Sequence, residues 1–274
     1  MDGCTRPSQH LKMLFLFAAI TMPFIVLPFF VVSDGANMTS YYIPHMQKEI
    51  AVSGRSEYVL SSTPRQSCVS LNQIGRGLNV GYDTSVKRAL RGMGLRTANF
   101  DEWIAQHPGT ALSHLRYMPV TSQQFVASTA VFIRKSNSRI DAKTAWREAT
   151  ALVHYSAKYA VPYVLTTAVA KVESTFDPDA ISSKGASGVM QVMWELHQQL
   201  LKANGITPAP GANPLADPEK AIAAGCLLLS RYIRAYGSVS NAMERYYGTN
   251  SETYQRKVNR NVASVINHHS QFFK

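Results

Sequence analysis

Glu173 is the residue whose type and position best suit acid catalysis in this 274-residue chain. The stretch that starts at Pro162 predicts a helix that ends close to Glu173, because its apolar residues recur at helical spacing. That apolar face consists of Leu165, Ala168, Val169 and Val172. Backbone carbonyls at a helix end and an apolar neighbourhood both disfavour an ionised carboxylate, so we expect a raised pKa. A carboxyl that keeps its proton near neutral pH can protonate the leaving oxygen of a glycosidic bond.

The loop that follows Glu173 is rich in small residues and suits close contact with a ligand. Pro178 prevents the helix from continuing, while Gly185 and Gly188 let the backbone turn and approach a ligand without a side chain in the way. Gln191 offers an amide that can donate and accept hydrogen bonds toward a sugar. The other residues of the pattern are Ser174, Phe176, Ala180, Ser182, Lys184, Ala186 and Met190.

The pattern from Glu173 to Gln191 resembles, without insertion or deletion, the signature of the Slt-type lytic transglycosylases, which share the goose-type lysozyme fold. The resemblance implies that Glu173 is the catalytic acid and that Ser174 orients it. It also implies that Gly188, Met190 and Gln191 line the substrate cleft. The substrate would then be the bond between N-acetylmuramic acid and N-acetylglucosamine in peptidoglycan, and the product a 1,6-anhydro sugar. Neither a metal nor an organic cofactor is implied.

A second segment, which begins at 213, fits the same resemblance. Asp217 is placed to cap a helix, Pro218 suits its first turn and Gly237 suits its end. This helix is similar to the one that packs against the catalytic helix in the family. It also has the pattern of an ordinary amphipathic core helix, and both interpretations can hold together.

The segment 241–248 stands where the family carries an Ala-Tyr-Asn motif. Tyr246 matches the tyrosine whose hydroxyl helps to hold the catalytic carboxylate in that family. Arg245 and Tyr247 replace the alanine and the asparagine, which changes the local contacts expected around the site. Packing in the core or at the surface is the alternative interpretation of Tyr246 and Tyr247.

The sequence predicts a mainly helical fold with a lysozyme-like catalytic domain over 141–274. Asp141 can cap a helix that closes near Tyr159, and a small hairpin is expected in the loop after Glu173. The last helix has packed positions at three- and four-residue steps, namely Tyr254, Val258, Val262, Val265, His269 and Phe272. His268 and His269 lack further ligands at metal-binding spacing, so we interpret them as parts of this helix.

The middle of the chain carries no recognisable chemistry. Residues 83–140 predict a small accessory helical region, with candidate helices over 85–90, 100–106 and 122–135. Residues 34–82 are polar and lack periodicity, which is typical of a poorly structured linker.

The N-terminal segment indicates export. Residues 13–32 carry no charge, and Arg6 and Lys12 precede them. The run can cross a bilayer core of about 30 Å, with its positive flank in the cytoplasm. We interpret 1–33 as a signal peptide or a signal anchor, and the length favours the anchor. Either outcome places the rest of the chain in the periplasm of a bacterium, beside the murein wall, and a retained segment would bind the inner membrane.

The charge and the cysteines of the chain limit its possible partners and its possible disulfide bonds. The formal net charge is +11, but the basic residues are spread along the chain rather than interleaved with aromatic residues in one stripe. This distribution argues against nucleic acid and suits nonspecific attraction to the carboxylates of wall peptides. Cys68 and Cys226 lie beyond the apolar run, so a disulfide between them and a buried free thiol at Cys226 are both open.

Two alternative functions remain open. A hydrolytic muramidase would need a second carboxylate to activate water, and the candidates are Asp177, Asp179 and Glu195. A noncatalytic wall-binding component of a secretion complex is the other alternative, favoured by the missing asparagine after Tyr246. The activity could serve general wall turnover or local opening of the wall for a secretion, pilus or flagellar apparatus.

Overall fold

The computed structural model describes residues 81–274. Over that range the chain forms nine α-helices, one 3-10 helix and one two-stranded antiparallel hairpin. The helices are α1 (Thr84–Gly92), α2 (Thr97–Ala105), the 3-10 helix (Ala111–Tyr117), α3 (Val120–Ser136), α4 (Ala142–Tyr159), α5 (Tyr163–Ser174), α6 (Trp194–Ala203), α7 (Pro218–Tyr236), α8 (Val239–Tyr247) and α9 (Glu252–Phe272). The hairpin pairs β1 (Ala186–Ser187) with β2 (Val192–Met193). The predictions of a mainly helical fold and of a small hairpin after Glu173 are confirmed.

Helices α4 and α7 begin at capping residues that the sequence predicts. Asp141 accepts hydrogen bonds from two backbone amides in the first turn of α4. Asp217 caps α7 in the same way, with Pro218 in its first turn, and Gly237 ends that helix with φ 71°. Each cap satisfies backbone groups that have no partner within the helix itself.

Helix α4 lies at the centre of the fold. It packs most extensively against α3 and α7, and it also contacts the 3-10 helix and α5. Trp146 of α4 is fully buried and lies against Phe100 of α2, with ring centroids 5.3 Å apart. Buried apolar residues from the whole described range form a single cluster. The boundary predicted between residues 140 and 141 therefore marks a change in sequence pattern, and the packing continues across it.

The helices predicted over 85–90, 100–106 and 122–135 are confirmed as α1, α2 and α3, with small shifts at their ends. None of the helices within 81–274 combines the length and the apolar character that crossing a bilayer requires. The segment predicted to be a signal or an anchor, the predicted linker up to residue 80 and Cys68 all lie outside the described residues.

Candidate active site

Glu173 is the penultimate residue of α5, at the start of a tight turn. Thr175 and Phe176 both take left-handed backbone conformations, with φ of 54° and 63°, which are uncommon for residues other than glycine. Phe176 is fully buried, with its ring at the edge of Phe132 of α3. Asn137 donates a hydrogen bond from Nδ2 to the carbonyl of Thr175 at 3.0 Å. The turn after Glu173 is therefore held in place by α3 and the residue that follows it.

The carboxyl group of Glu173 is largely withdrawn from water. Burial raises its pKa from about 4.5 to about 7, in the direction that the sequence predicts. The hydroxyl group of Tyr254 in α9 donates a hydrogen bond to Oε1 of Glu173, with an oxygen–oxygen distance of 2.5 Å. This bond favours the ionised form and opposes part of the effect of burial. Near neutral pH the group is divided between two protonation states, which suits a side chain that gives and takes a proton.

The hydroxyl that contacts Glu173 comes from Tyr254, whereas the resemblance implied Tyr246. Tyr246 donates instead to the carbonyl oxygen of Met190 at 2.8 Å. The sequence indicated Tyr254 only as a packed position of the last helix. One signal could have found its role: a tyrosine at a buried position needs a partner for its hydroxyl. Tyr254 is 5% exposed, and Glu173 is that partner.

Gly188 and Met190, which the resemblance placed in the cleft, pack against α7 and the segment before it. Gly188 has φ 73°, and a Cβ atom there would lie 2.3 Å from the carbonyl oxygen of Leu215. Met190 is fully buried and covers Gly225 of α7, where a Cβ atom would come within 2.6 Å of the methionine methyl group. The close approach that requires glycine at both positions is therefore an approach between parts of the protein.

Gln191 and Ser174 brace the same loop. The Gln191 amide donates from Nε2 to the carbonyl oxygens of Ala180 at 2.9 Å and Gly188 at 3.1 Å. Both amide hydrogens are then engaged within the loop, so any further hydrogen bond of this amide would have to be accepted by its side-chain oxygen. Ser174 donates from Oγ to the carbonyl of Val189 at 2.8 Å. Ser174 thus joins the end of α5 to the loop. The hydrogen bond to the neighbouring Glu173 carboxyl comes from Tyr254 of α9 instead.

The three carboxylates that a hydrolytic enzyme could use lie in other surroundings. Asp177 is 3.9 Å from the Arg139 guanidinium. The remaining two, Asp179 and Glu195, are exposed. Within residues 81–274, no second carboxylate contributes to the shift in the pKa of Glu173.

His268, His269 and Cys226 have packing roles. Within 81–274 no three His, Cys, Asp or Glu side chains come together as metal ligands. His268 and His269 both contact Ser128 of α3, at its carbonyl oxygen and its hydroxyl, so they join α9 to α3. Cys226 is a free and fully buried thiol in α7, and burial raises its pKa to about 12. This state corresponds to the free-thiol alternative.

The part of the chain that contains Glu173 and Tyr254 matches a known domain family. Residues 151–266 match the family described as the transglycosylase SLT domain. This match covers less than half of the chain. The acid, its tyrosine partner and the loop between α5 and α6 all lie within the matched residues, whereas α1, α2 and α3 precede them.

Proteins with a known name are similar in sequence to this part of the chain. Membrane-bound lytic murein transglycosylase C from Yersinia pestis (strain Pestoides F) is 32% identical over 148 residues, which are 53% of this chain and 41% of the relative. The protein of the same name from Yersinia pseudotuberculosis serotype O:1b (strain IP 31758) has the same identity and coverage. The chain spans about two fifths of the length of these relatives. The solved 70 kDa soluble lytic transglycosylase of Escherichia coli superposes with a TM-score of 0.37 and 16% identity, over 74% of this chain and 40% of its own.

Proposed function

We propose that this chain is a peptidoglycan lytic transglycosylase that cleaves the bond between N-acetylmuramic acid and N-acetylglucosamine. The observation that carries the proposal is the Glu173 carboxyl, which is largely withdrawn from water, has a pKa of about 7 and accepts a short hydrogen bond from Tyr254. A carboxyl in this state can act first as an acid and then as a base at neutral pH. The match to the transglycosylase SLT domain and the names of the relatives support murein as the substrate.

In the proposed reaction, Glu173 gives its proton to the glycosidic oxygen as the bond from that oxygen to C1 of the muramic acid breaks. The acetamido group of the muramic acid steadies the positive charge at C1. The Glu173 carboxylate then takes the proton of the C6 hydroxyl as O6 attacks C1. The products are a free hydroxyl on the departing sugar and a 1,6-anhydromuramoyl end, and no water is consumed.

Tyr254 has a defined part in these reaction steps. Its hydroxyl donates to the oxygen Oε1, so it stabilises the carboxylate that forms when Glu173 loses its proton to the leaving group. The same hydrogen bond holds the carboxyl in one orientation, and the buried position of Tyr254 keeps the donor itself in place. Tyr254 therefore positions Glu173 and tunes its pKa.

The alternative, a hydrolytic muramidase, has less support. A hydrolytic mechanism with an activated water uses two carboxyl groups at a controlled separation. Among residues 81–274 the pKa of Glu173 shows no contribution from a second carboxylate, and Asp177 lies beside Arg139. An intramolecular attack by O6 requires one acid only, which is what the described site offers.

Mass spectrometry of digested sacculi tests the proposal. We expect the purified chain to release fragments whose muramic ends are lighter by one water than reducing ends. Reducing ends would overturn the transglycosylase reaction in favour of the muramidase. If the digest releases no fragments beyond those of a parallel Glu173→Gln digest, the proposed activity is wrong.

We place this activity at the periplasmic side of the envelope, with residues 34–82, apart from the packed Tyr82 at their end, as a linker that lets the catalytic part reach the wall. The uncharged run 13–32 and the words "membrane-bound" in the names of the relatives support this location. A retained anchor would confine cleavage to the part of the wall that the chain can reach from the inner membrane. This restriction suits local opening of the wall for a secretion, pilus or flagellar apparatus. N-terminal sequencing of the protein from bacterial membranes separates a retained anchor from a cleaved signal.

A further inference from the structure

Tyr247 is an exposed aromatic residue one ring away from the partner of the catalytic carboxyl. Its ring lies nearly parallel to the ring of Tyr254, with centroids 4.3 Å apart and 18° between the planes. Tyr254 is buried and donates to Glu173. Tyr247 as a residue is 49% exposed, although one face of its ring lies against Tyr254.

This placement separates Tyr247 from the other exposed aromatic residues of the described range. The others are Tyr117, Tyr236 and Phe273. Tyr236 contacts Tyr232 within α7, and Phe273 packs beside the end of α9. Among the described ring contacts, only that of Tyr247 reaches the residue that holds Glu173. Packing within the described residues therefore does not by itself explain why an aromatic ring is exposed at this position.

The backbone around Tyr247 holds the ring in place before any ligand arrives. Tyr247 is the last residue of α8, and Gly248 ends that helix with φ 91°. The preceding residue, Tyr246, is tied to the carbonyl of Met190 by a hydrogen bond of 2.8 Å. An aromatic ring that is already oriented loses little conformational freedom when a ligand packs on it.

We propose that Tyr247 is a sugar-binding residue whose open face packs against the C–H face of a pyranose ring next to the scissile bond. The proposal rests on the proposed function of Glu173, since it takes the glycan as the ligand. A pyranose presents apolar C–H groups between its hydroxyls, and ligand sites supply matching apolar area mainly through aromatic side chains. Tyr247 stands where the resembling family has an asparagine, so this chain presents an aromatic ring in place of an amide.

Direct binding to an inactive chain tests this proposal. The probe is a tetrasaccharide of alternating N-acetylglucosamine and N-acetylmuramic acid, titrated calorimetrically into the full chain with Glu173→Gln. Adding Tyr247→Ala should weaken binding about tenfold, whereas Tyr247→Phe, which keeps the ring, should stay within about twofold. Tyr117→Ala is the matched control, since Tyr117 is an exposed tyrosine at the end of the 3-10 helix, and it should leave binding unchanged. Equal binding with and without the Tyr247 ring, or no binding to the Glu173→Gln chain, overturns the proposal.

A second measurement needs no change at Tyr247. In the Glu173→Gln chain, nuclear Overhauser effects should connect the Tyr247 ring protons with ring protons of the bound tetrasaccharide. Their absence in a saturated sample would show that the sugar does not lie on this ring and would overturn the proposal even if the Tyr247→Ala chain failed to fold.

Kinetics keep this proposal distinct from the proposed function. In the active chain, Tyr247→Ala should raise KM about tenfold and change kcat much less, because the ring binds the glycan without taking part in proton transfer. If the chain cleaves murein and KM is unchanged, the sugar site is wrong and the function stands. If the tetrasaccharide binds through Tyr247 but the chain releases no fragments, the function is wrong and the sugar site stands.

Discussion

Two glutamates on neighbouring helices, Glu148 of α4 and Glu173 of α5, are both withdrawn from water but have different surroundings. Glu148 is fully buried, and neither of its carboxyl oxygens has a hydrogen-bond partner among the described residues. Burial raises its pKa well above the usual value, and Asp141 and Asp177 add to that effect. Glu173 is partly exposed, and the hydrogen bond from Tyr254 opposes the effect of burial.

The difference shows what a catalytic carboxyl needs beyond an apolar environment. Burial without a donor favours an acid that stays neutral and has no route to a substrate, as at Glu148. A hydrogen bond that stabilises the ionised form, together with partial exposure, favours an acid that exchanges its proton near neutral pH, as at Glu173. The two residues therefore offer matched tests within one chain.

The largest expected effect separates the two glutamates by activity. Glu173→Gln removes the proton donor and should lower the rate of murein cleavage by a factor on the order of 10³. Glu148→Gln makes the same chemical change and should keep most of the activity, because that side chain is out of reach of any substrate. Release of soluble fragments from labelled sacculi measures both, with circular dichroism to confirm folding. Equal activity of Glu173→Gln and the unaltered chain would remove Glu173 from the mechanism.

The next effect separates them by stability. The unfolded chain loses the Glu148 proton above pH about 4.3, whereas the folded chain keeps it. The free energy of unfolding therefore falls as pH rises, by about 1.4 kcal/mol per pH unit from this group, until the pH reaches its pKa in the folded chain. Glu148→Gln should remove that slope in urea titrations between about pH 5 and 7.

Glu173→Gln is the control for that slope. The pKa of Glu173 is also raised in the folded chain, to about 7, so its contribution to the slope ends near neutral pH. Glu173→Gln should therefore remove its share of the slope only below about pH 7, whereas Glu148→Gln should remove its share up to the pKa of Glu148 in the folded chain. An unchanged slope in Glu148→Gln at every pH would mean that Glu148 is ionised in the folded protein.

The smallest effect concerns the donor that distinguishes the two sites. Tyr254→Phe removes a hydrogen bond that favours ionised Glu173, so the pKa of Glu173 should rise. The reaction begins with protonated Glu173, so the alkaline limb of the pH profile should move to higher pH while kcat falls about tenfold. Tyr246→Phe deletes the same atom from a residue bonded to Met190 and should leave that limb in place. An unmoved limb in Tyr254→Phe would show that Tyr254 does not tune the acid.

Features that depend on near neighbours in the chain could be predicted. Asp141 and Asp217 cap their helices, and Glu173 lies at a helix end in an apolar setting, as the sequence predicts. The burial of Glu148 was also within reach, because it lies three residues after Ala145 and therefore on the apolar side of α4. The partner of Glu173 was not, since Tyr254 stands 81 positions away in the chain.

By itself the sequence determined most of the α-helices, the caps of α4 and α7 and the acid at the end of α5, because each of these depends on residues within a turn or two. Only the tertiary structure decided which tyrosine meets Glu173, that Met190 turns into the core and that Gly188 packs on Leu215. These contacts depend on how α5, α7, α9 and the loops between them pack together. The same packing leaves Tyr247 exposed and buries Tyr254, although the two rings are stacked on each other.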